Sequence, residues 1–352
     1  MRFIHIADVH LGRRPDFSFP WGEAREQELW KTFAAVVDEC RNRDVDLLLI
    51  AGDLFDAPPA VEELNRANEI LANAAPTQVV LISGDQDFVK PGSAYDEYTW
   101  ASNVHFLKDP DESSVYLEGL DATVHGMSYQ RPIAAERCLE AIQPDFDCEY
   151  RILLAHGGDQ KHMPFTPAVL EKAGFDYVAL GHEHTHRFLG KGHMAYAGSL
   201  EPLKKEELGK HGYIFGEITE DRSRAVFVPF ALREYTTLKV RVSADILQEQ
   251  LQERLKAVME RQGSQHIYLI TLDGKHELRQ PFDTESLLAL GNVVEVNDRT
   301  VPDYDLVGLL DSHKDDVVGM YMEELLKRPS DPKVQRALYC GLDALLFQEE
   351  PK

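Results

Sequence analysis

Two apolar runs that each end in glycine and aspartate most strongly limit how this chain can fold. They are "LLLIAGDLFD" at residues 47–56 and "VVLISGDQDFV" at residues 79–89. Continuous apolar runs of this length are typical of strands that are buried on both faces of a sheet. In open α/β sheets, ligands gather outside the carboxyl ends of the strands. The two Gly-Asp pairs therefore predict strand ends that contribute to one site.

Strand-like and helical segments alternate through the first two thirds of the chain. The strand "RFIHIA" precedes a predicted helix over residues 23–43, and another over residues 60–73 separates the two apolar runs. Later strands are predicted at "DATVHG", "RILLAH", "DYVALG", "HMAYAG", "GYIFGEI" and "AVFVPF". The β-α-β-α-β opening indicates helices on the faces of a sheet, and short turns between later strands indicate a mixed sheet. The predicted fold class is α/β.

The pattern changes near residue 233, where a second small domain is predicted. It contains "TTLKVRVS", "HIYLITL" and "VVEV", with one helix between the first two and another near Ser286. The apolar face of the first helix is expected to carry Leu247, Leu251, Leu255 and Met259. The predicted domains are residues 1–232, a small α+β domain of residues 233–303, and a helical tail of residues 304–352.

The predicted tail carries an apolar stripe after the breaker "RPSDP". The stripe comprises Val334, Leu338, Leu342, Leu345 and Leu346. Such a stripe packs either on its own chain or on a partner, and the sequence leaves both alternatives open.

Composition restricts the environment in which the chain works. A hydrophobic content of 43% and a charged content of 28% are typical of a globular protein in water. No run approaches the roughly 18 apolar residues of a membrane span, and the first residues lack the pattern of a signal peptide. The four cysteines have no CxxC spacing, so neither a disulfide framework nor a zinc knuckle is indicated. We expect a reduced, cytoplasmic protein without a membrane partner.

The formal net charge of −23 argues against a protein that binds nucleic acid without the help of metal ions or a partner. Bound metals, a local basic patch or a basic partner can still supply the positive field that a phosphate backbone requires. Arg13 and Arg14 form one such patch and are the candidate substrate-binding residues.

Five short pieces carry acidic and histidine side chains, and each follows an apolar strand-like run. They are "ADVH" (Asp8, His10), "GDLFD" (Asp53, Asp56), "GDQD" (Asp85, Asp87), "AHGG" (His156) and "GHEH" (His182, His184). Each piece is weak evidence alone, but five in order are hard to explain as structural residues. Mixed carboxylate and imidazole ligands suit manganese, iron or zinc, and two such ions clamp the oxygens of an in-line phosphoryl displacement. His5, inside the first strand, is interpreted instead as a core histidine.

The order of these pieces resembles that of the calcineurin-like metallophosphoesterase superfamily. Within it, "HIADVHLG", "AGDLFD" and "YAGSLEP" resemble the SbcD branch, a DNA repair nuclease subunit that partners an SMC-like ATPase. The motifs cover residues 1–229, and the remainder is similar only in arrangement. The resemblance implies the metallophosphoesterase fold, a two-layered mixed β-sheet sandwich flanked by helices, with a small α+β capping domain and a C-terminal helical tail.

The resemblance also implies two divalent metal ions, with Mn²⁺ expected and Mg²⁺, Fe²⁺ or Zn²⁺ as alternatives. One ion would be held by Asp8, His10, Asp53 and His184, and the other by Asp53, Asp85, His156 and His182. Asp56 and Asp87 would support these ligands without touching an ion. The expected substrate is DNA, the expected partner is an SMC-like ATPase that docks on the tail helices, and a homodimer is expected.

The chain departs from the family at "GDQD", where the family pattern is GNHD. Two divalent ions contribute four positive charges, and the carboxylates of Asp8, Asp53 and Asp85 leave about +1, against +2 with the family asparagine. We expect tighter metal binding but weaker Lewis acidity. Gln86 occupies the position of the catalytic histidine, and an amide cannot release a proton near pH 7.

The missing proton donor predicts impaired nuclease chemistry, because general acid catalysis contributes about 100- to 10,000-fold. The loss should be largest for a poor leaving group such as a deoxyribose hydroxyl. His162 and His186 are candidates to replace the donor, whereas Glu183 should point away from the ions. The leading hypothesis is an SbcD-type two-metal phosphodiesterase, with Asp53 and Gln86 at its catalytic positions. The alternatives are a catalytically decayed DNA-end-binding subunit and a nucleotide or small-molecule phosphoesterase.

Overall fold

The computed structural model describes residues 1–109, 113–136, 138–144, 147–219, 222–328 and 331–347. The chain divides into two compact units, Met1–Tyr235 and Thr236–Lys352. The predicted division into three parts, after residues 232 and 303, stays a prediction. Parts of the predicted tail, residues 329–330 and 348–352, lie outside the described residues.

The first unit contains every strand and both helices that the sequence predicts for it. Its strands are β1 (Arg2–Ile6), β2 (Leu47–Ala51), β3 (Gln78–Ile82), β4 (Val104–Phe106), β5 (Ser113–Leu117), β6 (Ala122–Gly126), β7 (Tyr150–His156), β8 (Tyr177–Gly181), β9 (Arg187–Leu189), β10 (Met194–Tyr196), β11 (Gly212–Thr219) and β12 (Arg222–Pro229). Its helices are α1 (Gly22–Asn42), α2 (Val61–Ala72), α3 (Ala94–Glu97) and α4 (Pro167–Leu170). The unpredicted strands β4, β5 and β9 lack a long apolar run.

These strands form two mixed sheets. The first has the order β12-β11-β1-β2-β3-β4, and the second has the order β5-β6-β7-β8-β10-β9. Strands β1 to β4 are parallel, as are β6, β7, β8 and β10. The ends that precede the acidic and histidine pieces therefore lie at a common edge within each sheet.

The sheets pack face to face, which explains why the strand sequences are continuously apolar. On β2, Leu47 and Leu49 enter the core between the sheets, whereas Leu48 and Ile50 face α1 and α2 on the outside. The core between the sheets also includes Phe3, Val80, Ile82, Ile152, Leu154 and Ala179. The expected two-layered mixed sandwich flanked by helices is confirmed.

The second unit has its own sheet and core. Its strands are β13 (Tyr235–Val242), which begins at the unit boundary, β14 (Ile267–His276), β15 (Val293–Asp298) and β16 (Val301–Pro302). Its helices are α5 (Gln248–Gln262), α6 (Thr284–Leu288), α7 (Leu306–Ser312), α8 (Val317–Leu326) and α9 (Pro332–Leu346). Leu251, Leu255 and Met259 of α5 are buried as predicted. Leu247 was predicted on the same face but is exposed, because it precedes the first turn of the helix.

The apolar stripe of α9 packs inside the second unit. Val334, Leu338 and Leu342 are buried. Leu338 and Leu342 belong to a core cluster with Val318 and Met322 of α8. A partner that docks on these helices would therefore contact other residues than the centre of the stripe. In the part of the chain that the structure describes, no helix is both long and apolar enough to span a bilayer.

Candidate metal centre

The five predicted pieces meet at the edge of the sandwich where the parallel strands end. Asp8 and His10 follow β1, Asp53 follows β2, and Asp85 follows β3. His156 is the last residue of β7, and His182 and His184 lie in the loop after β8. Strand β8 ends at Gly181 as predicted, and the loop that follows directs His182 and His184 to different carboxylates.

Local backbone geometry explains the glycine in each Gly-Asp pair. Gly52 has a φ of 83°, and a Cβ atom there would collide with the imidazole of His156. A Cβ atom on Gly84 would collide with the carboxylate of Asp53. Only glycine permits both approaches, so the Gly-Asp pattern reflects how tightly the functional side chains are packed.

Four aspartate and histidine residues of the site have positive φ angles, in the left-handed half of the map. Asp8, His10, Asp53 and His182 have φ angles of 51°, 50°, 49° and 98°. Hydrogen bonds from the backbone N–H of Asp8 to Gly52 O (3.2 Å) and of His10 to Asp53 O (3.0 Å) hold these loops together. Such conformations are uncommon outside glycine and concentrate at functional sites.

The first ion pocket is the group formed by Asp8, His10, Asp53 and His184. The Nε2 atoms of His10 and His184 face each other at 3.3 Å, and His184 Nε2 lies 4.0 Å from Asp8 Oδ1. Asp8, His10 and Asp53 are buried, whereas His184 is partly exposed. Ligand atoms of Asp8, His10 and His184 lie close enough together to hold one metal ion.

The second ion pocket is the group formed by Asp53, Asp85, His156 and His182. Asp85 Oδ1 lies 3.0 Å from both His156 Nε2 and His182 Nδ1. Asp85 and His156 are buried, and His182 is partly exposed. Ligand atoms of Asp85, His156 and His182 also lie close enough together to hold one metal ion.

Asp53 lies between the two pockets. Its Oδ2 atom is 3.7 Å from His10 Nε2 in the first pocket and 3.5 Å from His156 Nε2 in the second. Its Oδ1 atom accepts a hydrogen bond of 2.9 Å from the backbone N–H of Gln86. The geometry therefore places one carboxylate where it can contact ions in both pockets.

The hydrogen-bond partners of the four histidines indicate which ring nitrogen is free to bind a metal ion. The outer nitrogen of each ring has an oxygen acceptor on the side away from the pocket. The pairs are His10 Nδ1 with Asp56 (3.1 Å), His184 Nδ1 with Glu207 (2.7 Å), His156 Nδ1 with Ala51 O (2.8 Å) and His182 Nε2 with Asp159 (3.0 Å). An imidazole that donates its outer N–H presents an unprotonated nitrogen inward, as metal ligation requires. The residues fit two divalent ions.

The electrostatics of the site also favour cations. Burial lowers the pKa of His156, but the charge of Asp53 and hydrogen bonds to Asp53 and Asp85 raise it well above its ordinary value. Burial likewise lowers the pKa of His10, and the hydrogen bond to Asp56 with the charge of Asp53 raises it overall. The negative field that favours a proton on these rings also attracts a divalent cation, which displaces that proton on binding.

Asp87 connects the loops that follow β2 and β3. Its carboxylate accepts hydrogen bonds from the backbone N–H groups of Gly84 (2.6 Å) and Phe55 (3.2 Å). Burial, together with the nearby charge of Asp53, raises its pKa to about 7. Asp87 thus holds the loops that carry Asp53 and Asp85 without belonging to either pocket.

Gln86 is exposed, and its side chain bonds to a neighbouring carboxylate. Its Nε2 amide donates a hydrogen bond of 2.7 Å to Asp85 Oδ2. The opposite oxygen, Oδ1, is the one that faces His156 and His182. Gln86 therefore stabilises the Asp85 carboxylate by a hydrogen bond to the oxygen that does not face the two histidines.

The predicted basic patch pairs with carboxylates. Arg13 Nη1 donates a hydrogen bond of 3.1 Å to Asp56, the same carboxylate that supports His10. Arg14 Nε lies 3.5 Å from Glu26 on α1. Arg13 lies near the first ion pocket, and contact of either arginine with substrate stays a prediction.

The two histidines predicted as alternative proton donors, His186 and His162, differ in their surroundings. The ring of His186 stacks on Phe227 with centroids 3.6 Å apart. His162 lies beside the second pocket, with its ring centroid 4.5 Å from that of His182 and its Nδ1 held by Asp159. Glu183 pairs with Arg187 at 2.7 Å on the surface.

Sequence reasoning missed Glu207 and Asp159, which orient His184 and His182. No signal in the sequence marks Glu207, because it lies far along the chain from the pieces and follows no strand-like run. Asp159 had a weak signal, since it is a carboxylate three residues after the predicted ligand His156.

A face-to-face sandwich of mixed sheets with paired carboxylate and imidazole pockets at its strand ends defines a two-ion phosphoesterase class. The model of the family described as calcineurin-like phosphoesterase matches residues 1–186. The chain therefore belongs to the calcineurin-like phosphoesterase family, and the superfamily inferred from the motifs is confirmed.

Relatives support the same assignment. The chain is 32% identical over 244 residues to the metallophosphoesterase YhaO of Bacillus subtilis, covering 62% of this chain and 58% of that protein. It is 28% identical over 288 residues to the DNA double-strand break repair protein Mre11 of Methanopyrus kandleri, covering 73% and 62%. The Mre11 of Sulfurisphaera tokodaii is 33% identical over 236 residues, covering 59% and 56%. The alignments thus span about three fifths of the length of these relatives.

Proposed function

We propose that the chain is a metal-dependent phosphodiesterase that acts on DNA as a nuclease subunit in double-strand break repair. The observation that carries the proposal is Asp53 Oδ2, which lies within 3.7 Å of imidazoles in both ion pockets. A carboxylate shared between two adjacent ion pockets suits an in-line displacement at phosphorus. The relatives described as DNA double-strand break repair proteins support DNA as the substrate.

The seven predicted ligands are proposed to hold two divalent ions, and Mn²⁺ is the expected metal. When bound, the ions supply Lewis-acid activation of water and neutralise charge on the phosphodiester. The chain's own residues orient the ligands: Asp56 and Glu207 hold the imidazoles of the first ion pocket. Arg13, paired with Asp56 at that pocket, is proposed to approach a substrate phosphate.

Gln86 sets the expected strength of this activity. Its amide donates to Asp85, and an amide has no proton to give to a leaving oxygen near pH 7. We therefore expect hydrolysis of an activated aryl diester to be efficient and hydrolysis of DNA to be slow. The same observation favours a second candidate function, a subunit that retains the metal site for DNA-end binding after its catalysis has decayed.

The partner and the oligomeric state are proposed from the resemblance to the SbcD branch. An SMC-like ATPase is proposed to dock on the helices of the tail, where Val307, Val317 and Met320 are exposed apolar side chains. A basic partner would offset the net charge of −23 for DNA binding. A homodimer and a cytoplasmic location are likewise proposed on the resemblance alone.

The proposed function is tested by assaying the purified chain with Mn²⁺ on three substrates. These are bis(p-nitrophenyl) phosphate, p-nitrophenyl phosphate and a linear DNA duplex. We expect hydrolysis of the aryl diester in preference to the monoester, with weak DNA cleavage, all abolished by a chelator. A preference for the monoester would support the small-molecule phosphoesterase and contradict the proposal. Binding of DNA ends without any hydrolysis would support the decayed subunit.

A further inference from the structure

We propose that Asp159, held in place by His162, positions His182 and thereby sets the affinity of the second ion pocket for its metal ion. The inference rests on the two-ion site of the proposed function. Asp159 and His162 lie on the loop after β7 and belong to neither pocket as defined.

The ring of His182 is held at both nitrogens. Its Nε2 lies 3.0 Å from Asp159 Oδ2, and its Nδ1 lies 3.0 Å from Asp85 Oδ1. A neutral imidazole carries one proton, and the carboxylate of Asp159 favours that proton on Nε2. Nδ1 is then left unprotonated and directed into the second pocket. Asp159 therefore selects the tautomer that can bind a metal ion.

The backbone of His182 makes this outside support necessary. His182 follows the end of β8 and has a φ of 98°, in the left-handed half of the map. Its N–H donates to both carboxylate oxygens of Asp8 at 3.1 and 3.0 Å, which fixes the main chain but not the ring. The ring is partly exposed, so packing alone does not define its rotamer.

Asp159 is itself fixed by its loop. The backbone N–H groups of Lys161 and His162 donate to Asp159 Oδ1 at 2.7 and 3.0 Å, and His162 Nδ1 lies 2.8 Å from Oδ2. The N–H of Gly158 donates to His162 O at 2.7 Å and closes the turn. The ring of His162 lies against that of His182, so the loop presents one preorganised acceptor.

The other three imidazoles obtain their support differently. The acceptors for His10, His184 and His156 are Asp56, Glu207 and the carbonyl of Ala51. Ala51 ends a buried strand, and the Glu207 side chain is only 5% exposed. The Asp159 side chain is 53% exposed. One ligand of the second pocket thus depends on a surface loop, and loss of such support typically weakens metal affinity about 10- to 100-fold.

The inference is tested by calorimetric titration of Mn²⁺ into the metal-free full chain. The variants are Asp159→Ala, Asp159→Asn and His162→Ala. Glu118→Ala removes an exposed carboxylate in the turn after β5 and is the matched control. We expect Asp159→Ala to weaken one of two binding steps about 10- to 100-fold and to leave the other unchanged.

The two further variants separate positioning from loop structure. Asparagine can still close the turn and accept from His182, so Asp159→Asn should recover part of the affinity. His162→Ala should weaken the same step less than Asp159→Ala. Wild-type affinity in Asp159→Ala would overturn the inference, and so would equal weakening of both steps, which indicates a structural role. A wild-type chain that binds fewer than two ions would overturn the proposed function together with the inference.

Discussion

The two ion pockets share Asp53 but are supported in different ways. In the first pocket, the histidines are held by the carboxylates of Asp56 and Glu207. The second pocket contains Asp85 followed by Gln86, where the resemblance of the motifs implies asparagine and histidine. One of its histidines is held by a backbone carbonyl, and the other by a carboxylate on an exposed loop.

The second pocket accommodates a carboxylate where the resemblance implies a neutral amide. Asp85 adds a negative charge, and the amide of Gln86 donates to the oxygen that does not face the histidines. The pair therefore presents one carboxylate oxygen to the two histidines, and its amide has no proton to give to a leaving group near pH 7. We expect the second pocket to bind its ion well and to contribute less to the chemistry of the leaving group.

The largest expected effect comes from removing the shared carboxylate. Asp53→Ala should prevent binding of both ions at concentrations that saturate the wild type, whereas His182→Ala and His184→Ala should each leave one ion. Aryl diester hydrolysis should fall about 10,000-fold in Asp53→Ala, because charge stabilisation worth several kcal/mol is lost. Metal content after gel filtration and initial rates measure both effects. Retention of two ions in Asp53→Ala would contradict the role of Asp53 as a ligand shared by both pockets.

The next effect concerns Asp85 and Gln86. Gln86→His in the wild-type background removes the amide that donates to Asp85 Oδ2, whereas the double variant Asp85→Asn, Gln86→His creates the pair that the resemblance implies. We expect the double variant to raise DNA cleavage at least about 100-fold and to exceed the product of the single changes. The aryl diester rate should change little. Equal DNA rates in all four proteins would show that another residue donates the proton.

A smaller effect should separate the first pocket from the second. Asp56→Ala removes the acceptor of His10 Nδ1 and should weaken the first ion about 10- to 100-fold while the second ion is retained. Asp159→Ala should weaken binding of the second ion and leave binding of the first unchanged. Calorimetric titrations of the two variants under identical conditions make the comparison. If both variants weakened the same binding step, Asp56 and Asp159 would not support different ions, and the prediction would be contradicted.

The smallest effect concerns a histidine outside both pockets. His5 lies in β1, its Nδ1 is 3.1 Å from Tyr177 OH, and burial lowers its pKa from 6.5 to about 3. The unfolded chain takes up the proton near pH 6.5 and the native chain resists it, so stability is lost as pH falls from 6.5 toward 3. By pH 5 this group should account for about 2 kcal/mol of the loss in unfolding free energy.

Urea unfolding at pH 7.5 and pH 5 tests the assignment of His5 as a core residue. His5→Gln removes the titrating group and should lose less stability over this interval than the wild type. An identical loss in the two proteins would place the acid sensitivity elsewhere.

Much of the fold could be predicted because the strands are buried on both faces. The run of Leu47 to Ala51 reads as a strand since neighbouring side chains enter different cores. Strands β4, β5 and β9 lack a long apolar run and were not predicted, since each is held by pairing with neighbours that the sequence does not reveal. Leu247 was placed on the helix face by spacing alone, and the helix begins one residue later.

The candidate site was predictable to the extent that its residues follow strands. Asp53 and Asp85 come directly after apolar runs and a glycine, which the packing of the site requires. Glu207 and Asp159 form hydrogen bonds with histidines that are distant along the chain. Sequence spacing cannot predict which residues form such pairs.

Seven side chains form two adjacent pockets around Asp53, and anomalous diffraction tests whether each pocket binds an ion. Crystals of the full chain soaked with Mn²⁺ would be measured near the manganese absorption edge. We predict two anomalous peaks, one among Asp8, His10 and His184 and one among Asp85, His156 and His182, both in contact with Asp53. A single peak, or peaks away from Asp53, would contradict a two-ion site built around this carboxylate.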